Sequence, residues 1–348
     1  MRTTPFSLRL KRPLATADGT IAEREGVVVR YDHRGETGVG ESTPLPGWTE
    51  SLDACRSGLA DAAAAEADGG HTAAMLALDA AAVPAARHGF ATALLDADAR
   101  ADGVPLYRWF DPDRRCQSVP VNATVGDGRP QETADAVADA VDAGFDCCKV
   151  KVGARPVADD VERIRAVRDC VGDDVTLRAD ANGAWSRDEA ETAFEELASF
   201  GVEYVEQPLA ADDIEGHASL RGGSVGVALD ESLVDRRVHA ILDADAADVL
   251  VLKPMVLGGP GNAHTLAMRA RERGVDPVVT TTIDGVVARL AALHVAAAIP
   301  DVSACGLATG DRLATDLAPD PATVSDGRMS VPQSAGLGVD PAEVGPDA

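Results

Sequence analysis

The chain has 348 residues, enough for a large core in one barrel with additions or in two domains. Its 57 acidic residues against 32 basic ones leave a formal net charge of −25, spread along the whole length. Such a surface repels nucleic acid and anionic membranes and suits a halophilic solvent, so the expected partner is a small molecule.

No run approaches the roughly 20 apolar residues of a membrane span, and the N-terminus lacks a signal pattern, so a cytoplasmic protein is expected. Six cysteines without CxxC spacing read as reduced residues, neither a disulfide frame nor a zinc site. A homo-oligomer is compatible with this composition.

From Phe6 to about Glu41 the pattern is strand-like, with alternation in Ser7-Leu8-Arg9-Leu10 and an apolar run at Gly26–Tyr31. Pro13–Gly19 between them reads as a mobile loop, and Gly38-Val-Gly-Glu-Ser-Thr-Pro44 closes the sheet with turn residues. Alanine-rich helices are predicted at about 50–66 and 72–100, with Pro84 breaking the second. Residues 1–117 therefore form an α+β unit.

From Val119 short apolar runs alternate with amphipathic helices of about 12–15 residues. The runs are Val119–Ala123, Cys147–Val152, Val175–Asp180, Tyr204–Glu206, Val227–Asp230, Asp248–Lys253, Pro277–Thr281 and Ser303–Gly306. Eight strands joined by helical crossovers predict a parallel sheet, and in this length a closed (β/α)8 barrel over residues 118–308. Residues 309–348, rich in Pro, Gly and Asp, carry one strand signal at Met329-Ser330-Val331 and are expected to return to the first unit. The predicted fold is thus α/β, a modified TIM barrel with an α+β capping domain built from both chain ends.

Polar residues gather at the C-terminal ends of the predicted strands. In order these are Lys149-Val-Lys151, Arg178-Ala-Asp180-Ala-Asn182, Glu206-Gln-Pro, Asp230-Glu-Ser and Lys253-Pro. From Lys151 through Asp180, Glu206 and Asp230 to Lys253 the steps are 29, 26, 24 and 23 residues, one βα unit each. A lone Asp at a strand end most often caps the next helix. Five successive strand ends carrying charge mark the face on which barrel enzymes build their active sites.

Three carboxylates without His or Cys form a hard, all-oxygen set suited to Mg²⁺, with Mn²⁺ as the alternative ion. Lys151 and Lys253 flank that set. The chain holds only four lysines (Lys11, Lys149, Lys151 and Lys253), and Lys149 shares a strand face with Lys151. Lys149, partial burial and a nearby dication should lower the pKa of Lys151 towards the working range, letting it act as a base on the carbon α to a carboxylate.

These motifs resemble the enolase superfamily, in its muconate-cycloisomerase-like subgroup, over nearly the whole chain. Gly-x-Gly-Glu41-Ser-x-Pro in the cap and Gly336-Leu-Gly-Val339 near the C-terminus belong to the same resemblance. It implies metal ligands Asp180, Glu206 and Asp230 and opposed lysines Lys151 and Lys253, with Lys149 tuning Lys151. Mandelate-racemase-like members would place a histidine late in the barrel, and none follows Thr280-Thr281-Thr282-Ile283-Asp284. Dipeptide epimerases carry Asp-x-Asp after strand eight, where this chain has Ala304-Cys305-Gly306-Leu307.

Within the subgroup the chain is most similar to the o-succinylbenzoate synthase family of menaquinone biosynthesis, which implies a dehydration through an enediolate. N-acylamino-acid racemase, dipeptide epimerase and muconate cycloisomerase are the alternatives. Thr16 in the cap loop, Asn182, and Thr281, Thr282 and Asp284 after strand seven are expected to meet the substrate. The loop from Thr16 to Gly19 is expected to close over the site. The family's usual Ser-Ser-x-Glu at strand seven is replaced here by Thr281-Thr282-Ile283-Asp284.

Other features read as structural. Leu257-Gly-Gly-Pro-Gly261 lacks phosphate-loop spacing and fits a turn with Pro260 in the first turn of a helix. The scattered histidines read as surface or core residues, and Trp48 and Trp109 as packing residues of the cap. Trp185 fits either the barrel mouth or a helix start.

Overall fold

The computed structural model describes residues 1–16, 19–234 and 238–345, with the side chains of 14–16 excepted. Three antiparallel strands open the chain: β1 (Arg2–Thr16), β2 (Gly19–His33) and β3 (Glu36–Ser42). The expected loop at Pro13–Gly19 is mostly strand, because pairing resumes at Leu14↔Ile21 after a register shift and runs on to Thr16↔Gly19. Its tip, and the side chain of Thr16, lie outside the described residues.

Two helices follow, α1 (Leu52–Ala77) and α2 (Pro84–Ala101). Gly70, at φ 69°, interrupts α1, parting the two predicted helices, and the second is broken before Pro84, which starts α2 because the first turn needs no proline N–H. The Gly38-x-Gly40 motif lets α2 lie directly on the sheet. A Cβ at Gly38 would stand 1.9 Å from the Ala93 carbonyl, and one at Gly40 1.9 Å from that of Gly89. After α3 (Leu106–Phe110) the chain enters the barrel.

The predicted first barrel strand is split in two. β4 (Ser118–Pro120) pairs with the C-terminal hairpin, and only β5 (Ala123–Val125) joins the barrel sheet. Then come α4 (Pro130–Asp142), β6 (Cys147–Lys151), α5 (Val157–Val171), β7 (Thr176–Asp180), α6 (Arg187–Ala198), β8 (Val202–Glu206), α7 (Ile214–Leu220) and β9 (Gly226–Leu229). The series ends with α8 (Val238–Asp243), β10 (Val249–Leu252), α9 (Pro260–Glu272), β11 (Asp276–Val279) and α10 (Val286–Ala298).

Seven strands, β5 to β11, pair in parallel in sequence order. The eighth predicted strand, Ser303–Gly306, contributes only the bridges Thr280↔Gly306 and Val121↔Cys305, and these close the curled sheet. Alternate residues divide its two faces. Cys148, Val150, Leu177, Ala179, Val205, Leu229, Leu250 and Leu252 join the core shared with the helices, while Tyr204, Ala228 and Val251 make a separate cluster inside.

The tail forms the hairpin β12 (Val324–Ser325) and β13 (Arg328–Ser330), with β13 on β4. Beyond it, the Leu337 N–H donates to Asp96 of α2 at 2.7 Å and Arg30 of β2 donates to the Pro341 carbonyl at 2.9 Å, so the tail reaches the N-terminal layer. The predicted Gly258-Gly259 turn packs against the same layer. A Cβ on Gly258 would sit 2.7 Å from that of Ala80, and Gly259 precedes Pro260 as the N-cap of α9. Among the described residues no helix is long and apolar enough to cross a membrane.

Candidate active site

Register brings the predicted charges together. β6, β7 and β8 align Lys151 with Asp180 and Asp180 with Glu206, while Asp230 and Lys253 follow the last residues of β9 and β10. Residues aligned across parallel strands share a face, so Lys151, Asp180 and Glu206 point the same way; Asp230, two residues beyond Ala228, and Lys253, four beyond Val249, keep to that face. Lys151 Nζ donates to Asp180 Oδ2 at 2.6 Å, and Lys253 Nζ to Asp230 Oδ2 at 2.5 Å. Lys149, one layer deeper, donates to Glu206 Oε2 at 2.6 Å and lies 3.2 Å from Asp180 Oδ2.

The Glu206-Gln-Pro and Asp230-Glu-Ser motifs interlock. Gln207, at φ 44°, turns its side chain so that Oε1 accepts the N–H groups of Asp230 at 3.1 Å and Ser232 at 3.2 Å, while Nε2 donates to the Leu209 carbonyl. A buried amide with its donors and acceptor used in this way clamps the turn after β9 to the end of β8. Gln207 is thus what ties down Asp230.

Burial and mutual repulsion shape the carboxylates. Burial, reinforced by Asp180 and Asp230, pushes Glu206 up to about 7 despite Lys149. Burial also pushes Asp230 up to about 6, with Lys253 opposing it. Burial acts in the same sense on Asp180, but Lys149 and Lys151 together outweigh it and hold this carboxyl below the usual range. Lys149 is raised: burial disfavours its charge, yet Glu206 and Asp180 more than compensate.

Trp48, expected to pack within the cap, instead covers Lys253, whose Nζ lies 3.4 Å from the ring centroid. A hydrogen-bonded loop presents the ring: Trp48 N–H and Thr49 N–H both donate to the Leu45 carbonyl at 3.0 Å, and Leu45 N–H donates to Thr49 Oγ1 at 2.8 Å. The sequence signal was Pro44-Leu-Pro-Gly-Trp48, a rigid turn carrying an aromatic residue. Trp109, expected to pack in the cap, is exposed and edge-on to Phe110, and Trp185 is buried at a helix start.

At the end of strand seven the polar side chains bond one another and their neighbours. Thr281 Oγ1 pairs with Thr309 Oγ1 at 3.0 Å, and the Thr282 hydroxyl and N–H both donate to Asp284. Asp284 also lies 3.8 Å from Arg24 of the cap. All three residues are buried. Half-buried Ile283, a β-branched residue at φ 61°, is what this turn presents, and sequence pattern has no signal for such a backbone. Asn182 bridges two protein groups, Lys151 and Glu231.

Among the described residues no three His, Cys, Asp or Glu side chains are gathered as a metal-holding group in this arrangement. The carboxylate oxygens are turned to ammonium groups. The donor set nonetheless fits a hard divalent cation. Asp180, Glu206 and Asp230 are buried on adjacent strands, all-oxygen, and close enough that Asp180 and Asp230 both raise Glu206.

Residues 132–344 match the model of the enolase C-terminal domain-like family. The o-succinylbenzoate synthase of Thermobifida fusca is 42% identical over 219 residues, covering 61% of this chain and 66% of that protein. The L-Ala-D/L-Glu epimerase of Bacillus subtilis is 30% identical over 97% of this chain and 95% of its own. The substrate-liganded structure of the B. subtilis epimerase superposes with a TM-score of 0.87 at 30% identity over 97% of both chains. Muconate lactonizing enzyme from Pseudomonas fluorescens, complexed with muconolactone, does so with 0.84 at 26% identity, over 98% of this chain and 96% of that one.

Proposed function

This chain belongs to the enolase superfamily, and on that footing we propose that it is a Mg²⁺-dependent carbon–oxygen lyase of menaquinone biosynthesis. As an o-succinylbenzoate synthase it would dehydrate 2-succinyl-6-hydroxycyclohexa-2,4-diene-1-carboxylate to 2-succinylbenzoate. The observation that carries the reading is the inequality of the two flanking amines: the Lys151 side chain is 37% exposed, whereas that of Lys253 is 11% exposed beneath Trp48. One open amine and one covered cation suit proton transfer on a single face. The likeness to the T. fusca enzyme and the absence of acidic residues at 304–307 point the same way.

Lys151, as the free amine, takes the proton α to the substrate carboxylate, and the C–H bonding pair moves into the carboxylate to give the enediolate. Lys253, as ammonium on the opposite face, stabilises that anion. The C–O bond then breaks. The hydroxyl leaves with its bonding pair, receives the proton from Lys151 and departs as water, while the ring becomes aromatic. Asp180, Glu206 and Asp230 are the residues that would hold Mg²⁺, which supplies positive charge to the substrate carboxylate as the anion develops.

Purified protein with Mg²⁺, assayed at low and high salt, should convert the diene to 2-succinylbenzoate, and lack of turnover under both conditions would overturn the assignment. A second reading, N-acylamino-acid racemase or epimerase, is favoured by the end-to-end match to the B. subtilis epimerase. Deuterium entering both enantiomers of an N-succinylamino acid from D₂O, without diene turnover, would select it.

A further inference from the structure

Asn182 sits in the left-handed region at φ 46°, which asparagine tolerates better than most residues. From there its amide faces two charged groups. Oδ1 accepts from Lys151 Nζ at 2.7 Å, and Nδ2 donates to Glu231 Oε1 at 2.9 Å. An amide has an acceptor at one end and donors at the other, so towards an ammonium only the oxygen end is favourable. Glu231, an acceptor, selects that orientation.

Glu231 is itself held in place. It lies between Asp230 and Ser232, whose N–H groups are both tied to Gln207 Oε1. Among the described residues its carboxylate has no hydrogen-bond partner except Asn182, and Oε2 is buried without one. Among the described residues no side-chain amide is hydrogen-bonded to the other flanking lysine, and Lys253 meets Asp230 and the Trp48 ring.

We propose that Asn182 and Glu231 are positioning residues for Lys151. Glu231 orients the amide, and the amide oxygen holds the Lys151 ammonium beside the reacting face once the proton has been taken. This deepens the reading of Lys151 as the proton-transferring amine, and rests on it.

The scarcity of lysine makes the arrangement directly observable. With [ε-¹³C]lysine the full chain should give four ¹H–¹³C signals, one for each lysine, with those of Lys151 and Lys253 assigned by their loss in Lys151→Met and Lys253→Met. Glu231→Leu and Asn182→Leu should each displace the Lys151 signal and leave that of Lys253 in place. Glu231→Gln, which keeps an acceptor oxygen, should largely restore it.

In kinetics, Glu231→Leu should lower kcat about tenfold or more, the loss expected for one hydrogen bond to a charged group. KM should stay within about twofold, because the interaction serves the proton-transfer step rather than binding. A Lys151 signal that stays put in both leucine variants would overturn the proposal, and so would equal movement of the Lys253 signal. Since the spectra need no turnover, an inactive wild-type protein would sink the assigned reaction while leaving the positioning claim decided by the signals.

Discussion

Glu206 at the barrel mouth and Glu41 at the cap–barrel seam are both buried, and burial pushes each up to about 7. Their partners differ. Glu206 meets the Lys149 ammonium, a side chain on another strand. Glu41 accepts the Gly285 N–H at 2.7 Å and the Ala288 N–H at 3.0 Å at the start of α10, together with the Thr43 hydroxyl. Arg24 likewise donates to the carbonyls of Thr43, Pro44 and Ile283, and Asp96 accepts from the main chain of Val39 and Leu337. A side chain paired with another side chain can exchange partners with a ligand, whereas one bonded to helix-end N–H groups cannot let go without exposing them. Burial and a displaced pKa mark both regions alike, and the kind of partner separates chemistry from architecture.

The largest expected effect lies at the mouth. Lys151→Met should cut turnover by about 10³-fold or more, as loss of a general base does, with the thermal midpoint little changed. A large fall in the midpoint would erase the distinction from the seam.

Glu41→Ala should do the reverse. Leaving two N–H groups of α10 without an acceptor should cost about 2–4 kcal/mol in urea unfolding, with kcat of the folded protein retained. Loss of kcat at unchanged stability would move Glu41 into the active site.

Mg²⁺ should raise the stability of the wild-type protein by about 2.7 kcal/mol at 100 times its Kd. Asp180→Asn should abolish that increment and Glu41→Gln should leave it intact, as read by thermal melts with and without chelator.

The smallest effect concerns His294 in the seam. Its Nδ1 accepts from the Tyr107 N–H and its Nε2 bonds the Leu337 carbonyl, so the neutral ring is fully used, and burial lowers its pKa to about 4. Because the unfolded chain binds this proton more readily, stability is fully present above about pH 6.5 and declines as pH falls towards 4. Wild-type protein should lose about 1–2 kcal/mol more than His294→Gln between pH 7 and 5, measured by urea unfolding at each pH. Equal losses would assign the acid sensitivity to other groups.

Much of the barrel was legible because its signals are local and repeated. Apolar runs one βα unit apart, each ending in a charged residue, specify parallel strands and the face at which they end. The split at Ser118–Pro120 and Ala123–Val125, and the eighth strand reduced to bridges, were not legible. An apolar run reads the same whether it pairs within the barrel or with a tail 200 residues away. Nor does polarity at a strand end say which neighbours take the hydrogen bonds: only the fold pairs Thr281 with Thr309, 28 residues on.

By itself the sequence determined the periodicity, the acidic surface and the identity of the charged residues at each strand end, since these depend on neighbours a few positions apart. Tertiary structure alone decided that Trp48 covers Lys253, that Gln207 ties down Asp230, that Glu231 reaches Lys151 through Asn182, and that Glu41 caps a helix more than 240 residues away. Each joins segments remote in the chain, and only the closing of the sheet and the docking of the cap bring them within hydrogen-bonding or ring-contact distance.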